Sequence, residues 1–288
     1  MTLPMTFTLD EPGRPELATF SASDGYPFFY RRFPTSAKPI GRVVFVHGIQ
    51  SHGGWYPQSC SKLAHAGYEV YFLDRRGSGL NMTRRGDLPS FRRGLDDVGE
   101  FLRALPQDGI SSFLGAISWG GKFGVGVQYR HPGLVKGLIL LCPGIFSKVR
   151  QSFAERMRVV LARLVRPSRL FPIPLNDPKL FTATPDGLRF LAQDQYALHQ
   201  ATARLMFWSR ALDIYLRRAW KRVHLPVLLM LAEKDLIIDN AAVRAYVERF
   251  PSNEKTIIEY PGAYHTLEFE PEGHPFVDDL LKWLAART

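Results

Sequence analysis

Five short, mostly apolar runs constrain this chain more than any other feature: Arg42 to Val46, Glu69 to Leu73, Phe113 to Ile117, Val135 to Leu141 and Pro226 to Leu231. Each is continuous rather than alternating. A strand with one wet face alternates apolar and polar residues, whereas a strand covered on both faces reads as an unbroken apolar run. Helical patterns lie between the runs. Tyr56 to Ala66 is one, and Phe91 to Leu105 is another, with Leu95, Val98, Phe101 and Leu102 on a single face. Strands that alternate with helices in this way imply an α/β protein, with a mostly parallel sheet and helices on both sides. At 288 residues, 45% apolar and 22% charged, the chain suits a soluble globular protein with a sizeable core. Ala18 to Ser21 and Phe28 to Phe33 read as two further strands around the turn Ser23-Asp24-Gly25. Lys255 to Tyr260 reads as the last strand, with helices over Ala241 to Phe250 and from about Phe276 to Leu284.

The run Phe113 to Ile117 stops at a serine, and Ser118-Trp119-Gly120-Gly121 leads into a helical pattern. A strand, a sharp turn and a helix with a hydroxyl at the apex form a nucleophile elbow, which needs small residues two before and two after the serine. Here they are Ala116 and Gly120. Ala116 stands where glycine is usual.

A serine hydroxyl needs a base, and the base needs an acid that fixes its tautomer. Of the eight histidines, His265 is favoured. It follows the last strand, in the loop Pro261-Gly262-Ala263-Tyr264-His265. His47 and His52 precede the serine. Three acids follow the strand that ends at Leu231: Glu233, Asp235 and Asp239. Asp235 lies directly beyond the strand, Asp239 suits a cap for the helix beginning near Asn240, and Glu233 suits a solvated surface. The order Ser118, Asp235, His265 fits the elbow architecture. Two backbone donors are expected to hold a developing oxyanion: the N–H of Trp119, just after the serine, and that of Ile49, in the Gly-rich loop after His47-Gly48.

These pieces together resemble an α/β-hydrolase, and within that fold the monoacylglycerol lipase and lysophospholipase group of serine hydrolases. The resemblance rests on His47-Gly48 with His52 beyond it, on Gly67-Tyr68-Glu69-Val70 leading to Asp74-Arg75-Arg76-Gly77-Ser78-Gly79, and on the serine elbow, Asp235 and His265. It spans nearly the whole chain and departs at Ala116 and in the segment 146–223. It implies hydrolysis of carboxylic esters, often acylglycerols, without a cofactor. The same catalytic set also serves thioesterases, amidases or peptidases and C–C bond hydrolases, and a non-catalytic binding module could retain the fold. Haloalkane dehalogenases and epoxide hydrolases use an aspartate nucleophile where this chain has Ser118.

The net charge of +10 is concentrated in one place. Residues 146–223 hold 15 Lys and Arg against 5 Asp and Glu, and the rest of the chain holds 22 of each. This segment reads as mostly helical, interrupted by the Pro-rich piece Pro167 to Pro178. It is expected to be a basic cap inserted into a core formed by 1–145 and 224–288. A basic cap suits an anionic membrane surface or an acidic head group, and it carries no nucleic-acid motif. Met1 to Thr6 lacks a basic, apolar leader. Cys60 and Cys142 suggest free thiols in a cytoplasmic setting. No Cys/His spacing suggests a metal site. Arg85-Gly86-Asp87 reads as an ordinary surface turn.

Overall fold

The buried runs become the inner strands of one sheet. A computed structural model describes residues 13–288; Met1 to Thr6, read above for a leader, lies outside the described residues. In chain order the core elements are β1 (Glu16–Ser21), β2 (Pro27–Phe33), β3 (Gly41–Val46), α1 (Pro57–His65), β4 (Tyr68–Leu73), α2 (Phe91–Ala104), β5 (Ser112–Ile117), α3 (Gly120–Arg130) and β6 (Gly137–Leu141). Residues 146–223 contribute α4 (Phe153–Val165), β7 (Leu170–Pro172), α5 (Pro185–Gln193), β8 (Gln200–Thr202) and α6 (Ala203–Ala219). The chain then returns to β9 (Val227–Ala232), α7 (Asn240–Glu248), β10 (Lys255–Tyr260) and α8 (Phe276–Ala285).

Eight strands form the main sheet in the order β1-β2-β4-β3-β5-β6-β9-β10. The pairs β1–β2 and β2–β4 are antiparallel, and the other five are parallel. Every residue of β3, β4, β6 and β9 is buried, which is what an unbroken apolar run requires. Arg42 and Glu69 are the charged exceptions in these strands. They neutralise each other at 3.0 Å, with Asp108 also on Arg42 at 2.6 Å. Parallel pairing brings the loops after β3, β4, β5, β6, β9 and β10 out along one edge of the sheet, where ligands of open α/β sheets bind.

Residues 146–223 lie over that edge. Ring contacts seat α6 on the core: Phe91 lies 5.9 Å from Trp208 and 5.1 Å from Tyr215. The segment is not purely helical, because β7 and β8 form a short antiparallel ribbon. Arg85-Gly86-Asp87 corrects a sequence expectation, since it is not a surface turn. Asp87 is buried and accepts hydrogen bonds from Thr202 and Arg204. Arg85 donates to the carbonyls of Tyr196 and Ala197, and Thr202 N–H donates to the Gly86 carbonyl at 2.8 Å. The tripeptide is the ledge on which the segment rests.

Candidate active site

Ser118 terminates β5 with φ at +52°, in the left-handed region that side chains other than glycine rarely enter. Three backbone hydrogen bonds hold it there. Its N–H donates to Leu141 at 2.9 Å, and its carbonyl accepts from Gly121 at 2.8 Å and Gly144 at 2.5 Å. The need for smallness at Gly120 is steric, because a Cβ there would lie 2.4 Å from the Val46 carbonyl oxygen. Ala116 is fully buried, and its methyl group fits because Gly124 in α3 has no side chain. A Cβ on Gly124 would lie 2.7 Å from the Ala116 Cβ.

The loops after β9 and β10 bring the acid and the base to this serine. The Ser118 hydroxyl donates to His265 Nε2 across 2.9 Å. On the other side of the ring, His265 Nδ1–H donates to Asp235 Oδ2 across 2.6 Å. The second oxygen of Asp235 accepts from the N–H groups of Ile237 and Ile238, each at 2.8 Å, so the carboxylate cannot swing away. Asp235 and His265 are both buried. The competing acids go elsewhere: Asp239 caps α7 through Ala242 N–H, and Glu233 accepts from Gly262 N–H. Cys142 adds a group not visible in the spacing, since its sulfur lies with the Asp235 and His265 ligand atoms inside 4.8 Å. Burial pushes its thiol pKa well up, and the acid and imidazole are bonded to each other, so the trio is a hydrogen-bonded cluster rather than a ready ligand set.

The loop after β3 lies against the serine, and a Cβ on Gly48 would meet Ser118 Cβ at 3.1 Å. The N–H groups of Ile49 and Trp119 donate to no acceptor among the described residues. Behind this loop, Arg75 Nη2 donates to the carbonyls of Gly48 at 2.6 Å and Ile49 at 3.0 Å, and its Nε donates to His47 at 3.3 Å. Its guanidinium lies 4.6 Å from the centre of the Trp119 ring. Burial pushes the Arg75 pKa down to about 9, which leaves it cationic at neutral pH. Burial also holds His47 well below the usual imidazole range, so His47 is neutral.

His52 points away from the serine. Its Nδ1 accepts from Gly54 N–H at 3.0 Å, so its Nε2 carries the proton and donates to Asp194 at 3.1 Å. Trp55 Nε1 donates to the same carboxylate at 2.6 Å. Burial opposes ionisation of Asp194, yet these hydrogen bonds hold its pKa below the usual value. Asp194 belongs to the 146–223 segment, so this cluster ties that segment to the loop after β3. Sequence reading missed it because the residues are 142 positions apart. From the same segment, Leu175 and Phe181 close a small cavity over Ser118 that Ile49 and Gln50 also line.

An eight-stranded, mostly parallel sheet with a serine elbow and a hydrogen-bonded His–Asp pair at one edge defines an α/β-hydrolase. Within that class the chain belongs to the serine aminopeptidase S33 family, whose profile matches residues 37–272. It is 24% identical over 273 residues to the monoacylglycerol lipase of Mycolicibacterium smegmatis, covering 93% of this chain and 96% of that protein. It is 25% identical to an uncharacterized abhydrolase domain-containing protein of Dictyostelium discoideum, covering 92% of this chain but only 28% of that longer protein. A crystal structure of a soluble variant of Saccharomyces cerevisiae monoglyceride lipase with a substrate analogue superposes with a TM-score of 0.86. Identity there is 22%, covering 99% of this chain and 98% of the other. The α/β-hydrolase fold expected from the sequence is thereby borne out.

Proposed function

We propose that the chain is a serine hydrolase of carboxylic esters, acting through an acyl-enzyme on acylglycerol-like or lysophospholipid-like lipids. The observation that carries this reading is the continuous hydrogen-bonded line from Ser118 through His265 to Asp235, opposite two N–H groups without acceptors. Ser118 Oγ attacks the acyl carbon as His265 Nε2 takes its proton. Asp235 keeps Nδ1 protonated and stabilises the imidazolium that results. The ester oxygen gathers charge between Ile49 N–H and Trp119 N–H. His265 then protonates the leaving alcohol, activates a water, and the acid departs from Ser118.

Residues 146–223 act as a cap on the core formed by 1–145 and 224–288. In support, Leu175 and Phe181 roof the cavity over Ser118. Gln50 supports a hydroxylated alcohol as leaving group. It lines that cavity, and its buried Nε2 has no hydrogen-bond partner among the described residues. A carboxamide that both donates and accepts suits a hydroxyl. The aminopeptidase name of the family raises a second reading, in which the bond cleaved is an amide. A peptide N-terminus needs a carboxylate close to the nucleophile, and no acidic residue lines the cavity around Ser118. The names of the lipase relatives reported above agree with the ester reading.

The same proposal places the cap against an anionic lipid surface. Along α4, Phe153, Met157, Leu161 and Leu164 are each more than half exposed. At 100° per residue they share one face, with Arg156 and Arg158 on its flanks. An apolar stripe bordered by arginines suits an interfacial helix on negatively charged lipid. No helix of the described residues is long and apolar enough to cross a membrane. A cytoplasmic setting belongs to the proposal as well, supported by the free, buried thiols of Cys60 and Cys142.

The test is turnover of p-nitrophenyl esters and monoacylglycerols of increasing chain length, with matched thioesters and amides, in the wild type and Ser118→Ala. Ester turnover with a long-chain preference, abolished in folded Ser118→Ala, is the expected result. Substantial ester hydrolysis by that variant, or turnover of the amides alone, would overturn the reading.

A further inference from the structure

We propose that Arg75 is a positioning residue for the oxyanion hole: its guanidinium grips the β3 loop from behind and turns the Ile49 N–H toward Ser118. The inference rests on the serine-hydrolase reading above. In a trans peptide the C=O and the following N–H point in opposite directions. The Gly48 carbonyl accepts from Arg75 Nη2 at 2.6 Å and from His47 Nδ1 at 2.8 Å, so it faces the arginine. The Ile49 N–H belongs to the same peptide and is directed away from Arg75. Gly48 lies against Ser118, where a Cβ would come within 3.1 Å of the serine Cβ, and Ile49 lines the same small cavity as the serine.

Arg75 acts on that carbonyl twice. Its backbone N–H donates to His47 Nε2 at 2.9 Å. That bond leaves the ring proton on Nδ1, from which His47 reaches the Gly48 oxygen. Two further bonds, to the carbonyls of His47 and Ile49, use the fork that only a guanidinium offers. The guanidinium carbon lies over the Trp119 ring, and Trp119 supplies the other oxyanion donor. One buried group therefore touches both halves of the hole.

The partners of Arg75 are all uncharged. Its neighbour Asp74 turns its carboxylate to Arg31, Gly53 N–H and Leu80 N–H. The adjacent Arg76, by contrast, pairs with the carboxylates of Asp97 and Asp24. A buried cation hydrogen-bonded to no carboxylate is costly in the resting enzyme. The oxyanion of the tetrahedral intermediate is the negative charge that complements it. Arg75 thus contributes a preorganised field in addition to geometry.

Arg75→Gln removes the charge and the fork, and Arg75→Lys keeps the charge with a single point of attachment. Each is assayed for kcat and KM on a p-nitrophenyl ester, for inhibition by an alkyl trifluoromethyl ketone, and for Tm. Ser118 Oγ adds to the carbonyl carbon of the free ketone as His265 takes its proton, and the carbonyl oxygen becomes a hemiketal alkoxide in the hole, so the Ki reports the hole directly. Loss of one oxyanion donor outright costs roughly 10²- to 10³-fold in kcat, so a misaimed donor is expected to cost about 10- to 100-fold. Arg75→Gln should show that fall in kcat, a KM within about 3-fold of wild type, and a Ki weakened by the same factor as kcat. Arg75→Lys should fall between Arg75→Gln and wild type in both readouts. A folded Arg75→Gln with wild-type kcat and Ki overturns the inference. If Arg75→Gln does not fold, Arg75→Lys equal to wild type in both readouts overturns it. Labelling of wild-type Ser118 by a fluorophosphonate is measured in parallel. Its absence would defeat the serine-hydrolase reading itself, independently of Arg75.

Discussion

Gly124→Ala tests how the elbow accommodates Ala116. In isolation the substitution favours the helix, since alanine is better than glycine in a helix interior by about 1 kcal/mol. The structure opposes it. The new methyl would sit 2.7 Å from Ala116 Cβ and 3.1 Å from Leu138 Cδ1. Carbon atoms pack best at roughly 3.5–4.0 Å, so β5 or α3 must shift. Overpacking of this kind costs about 1–3 kcal/mol, which leaves a net loss of roughly 0–2 kcal/mol after the helix gain. Ala116→Gly removes the opposing methyl. In that background the contacts with Leu138 Cδ1 at 3.1 Å and Leu140 Cδ2 at 3.6 Å remain, and Gly124→Ala should become neutral or stabilising by up to about 1 kcal/mol. The coupling between the two sites is therefore on the order of 1–2 kcal/mol. Urea unfolding of the four proteins gives it directly. Because Ser118 ends β5, kcat should fall in Gly124→Ala and recover at least in part in the double variant. Effects on stability that add within about 0.5 kcal/mol would refute the argument that Gly124 makes the room for Ala116.

Burial raises the pKa of Glu268 from 4.5 to about 7. The folded state therefore keeps this proton up to near pH 7, while the unfolded chain loses it near pH 4.5. The contribution is fully present below pH 4.5 and is lost as pH rises through 7, amounting to roughly 3 kcal/mol. Glu268→Gln keeps an oxygen for the Gln58 and Ser59 N–H groups, so it should gain stability relative to wild type between pH 5 and pH 8; parallel urea curves across that range would contradict this. Gln50→Leu should raise KM for a monoacylglycerol by about 5- to 10-fold, the worth of one hydrogen bond, and leave p-nitrophenyl butyrate turnover unchanged. Equal effects on both substrates would remove Gln50 from recognition of the alcohol. Leu161→Glu with Leu164→Glu should reduce co-sedimentation with phosphatidylglycerol vesicles by at least about 10-fold while sparing hydrolysis of a short soluble ester. Failure of the wild type to bind such vesicles would rule out the lipid-surface proposal.

The sheet and the Ser118–His265–Asp235 line were legible because burial on both faces leaves an unbroken apolar run and because the strand ends fall beside particular residues. Asp239 was legible as a helix cap for a local reason, a side chain reaching its own third residue. The contacts that seat the cap were not. β7 and β8 are three residues each, too short for any period to register. Asp87 meets Arg204 across more than a hundred residues, and Asp194 meets His52 across a similar span. Arg75 and Arg76 look alike in sequence. Only their partners, carbonyls for one and carboxylates for the other, separate their roles.

The most direct test of the central claim is to trap the nucleophile. Wild type, His265→Ala and Asp235→Asn are treated with an alkyl fluorophosphonate, and the adduct is located by peptide mass spectrometry with its rate of formation. The account predicts one modified residue, Ser118, with the rate collapsing in His265→Ala and falling steeply in Asp235→Asn. Modification at another residue, or labelling of Ser118 at an undiminished rate without His265, would contradict it.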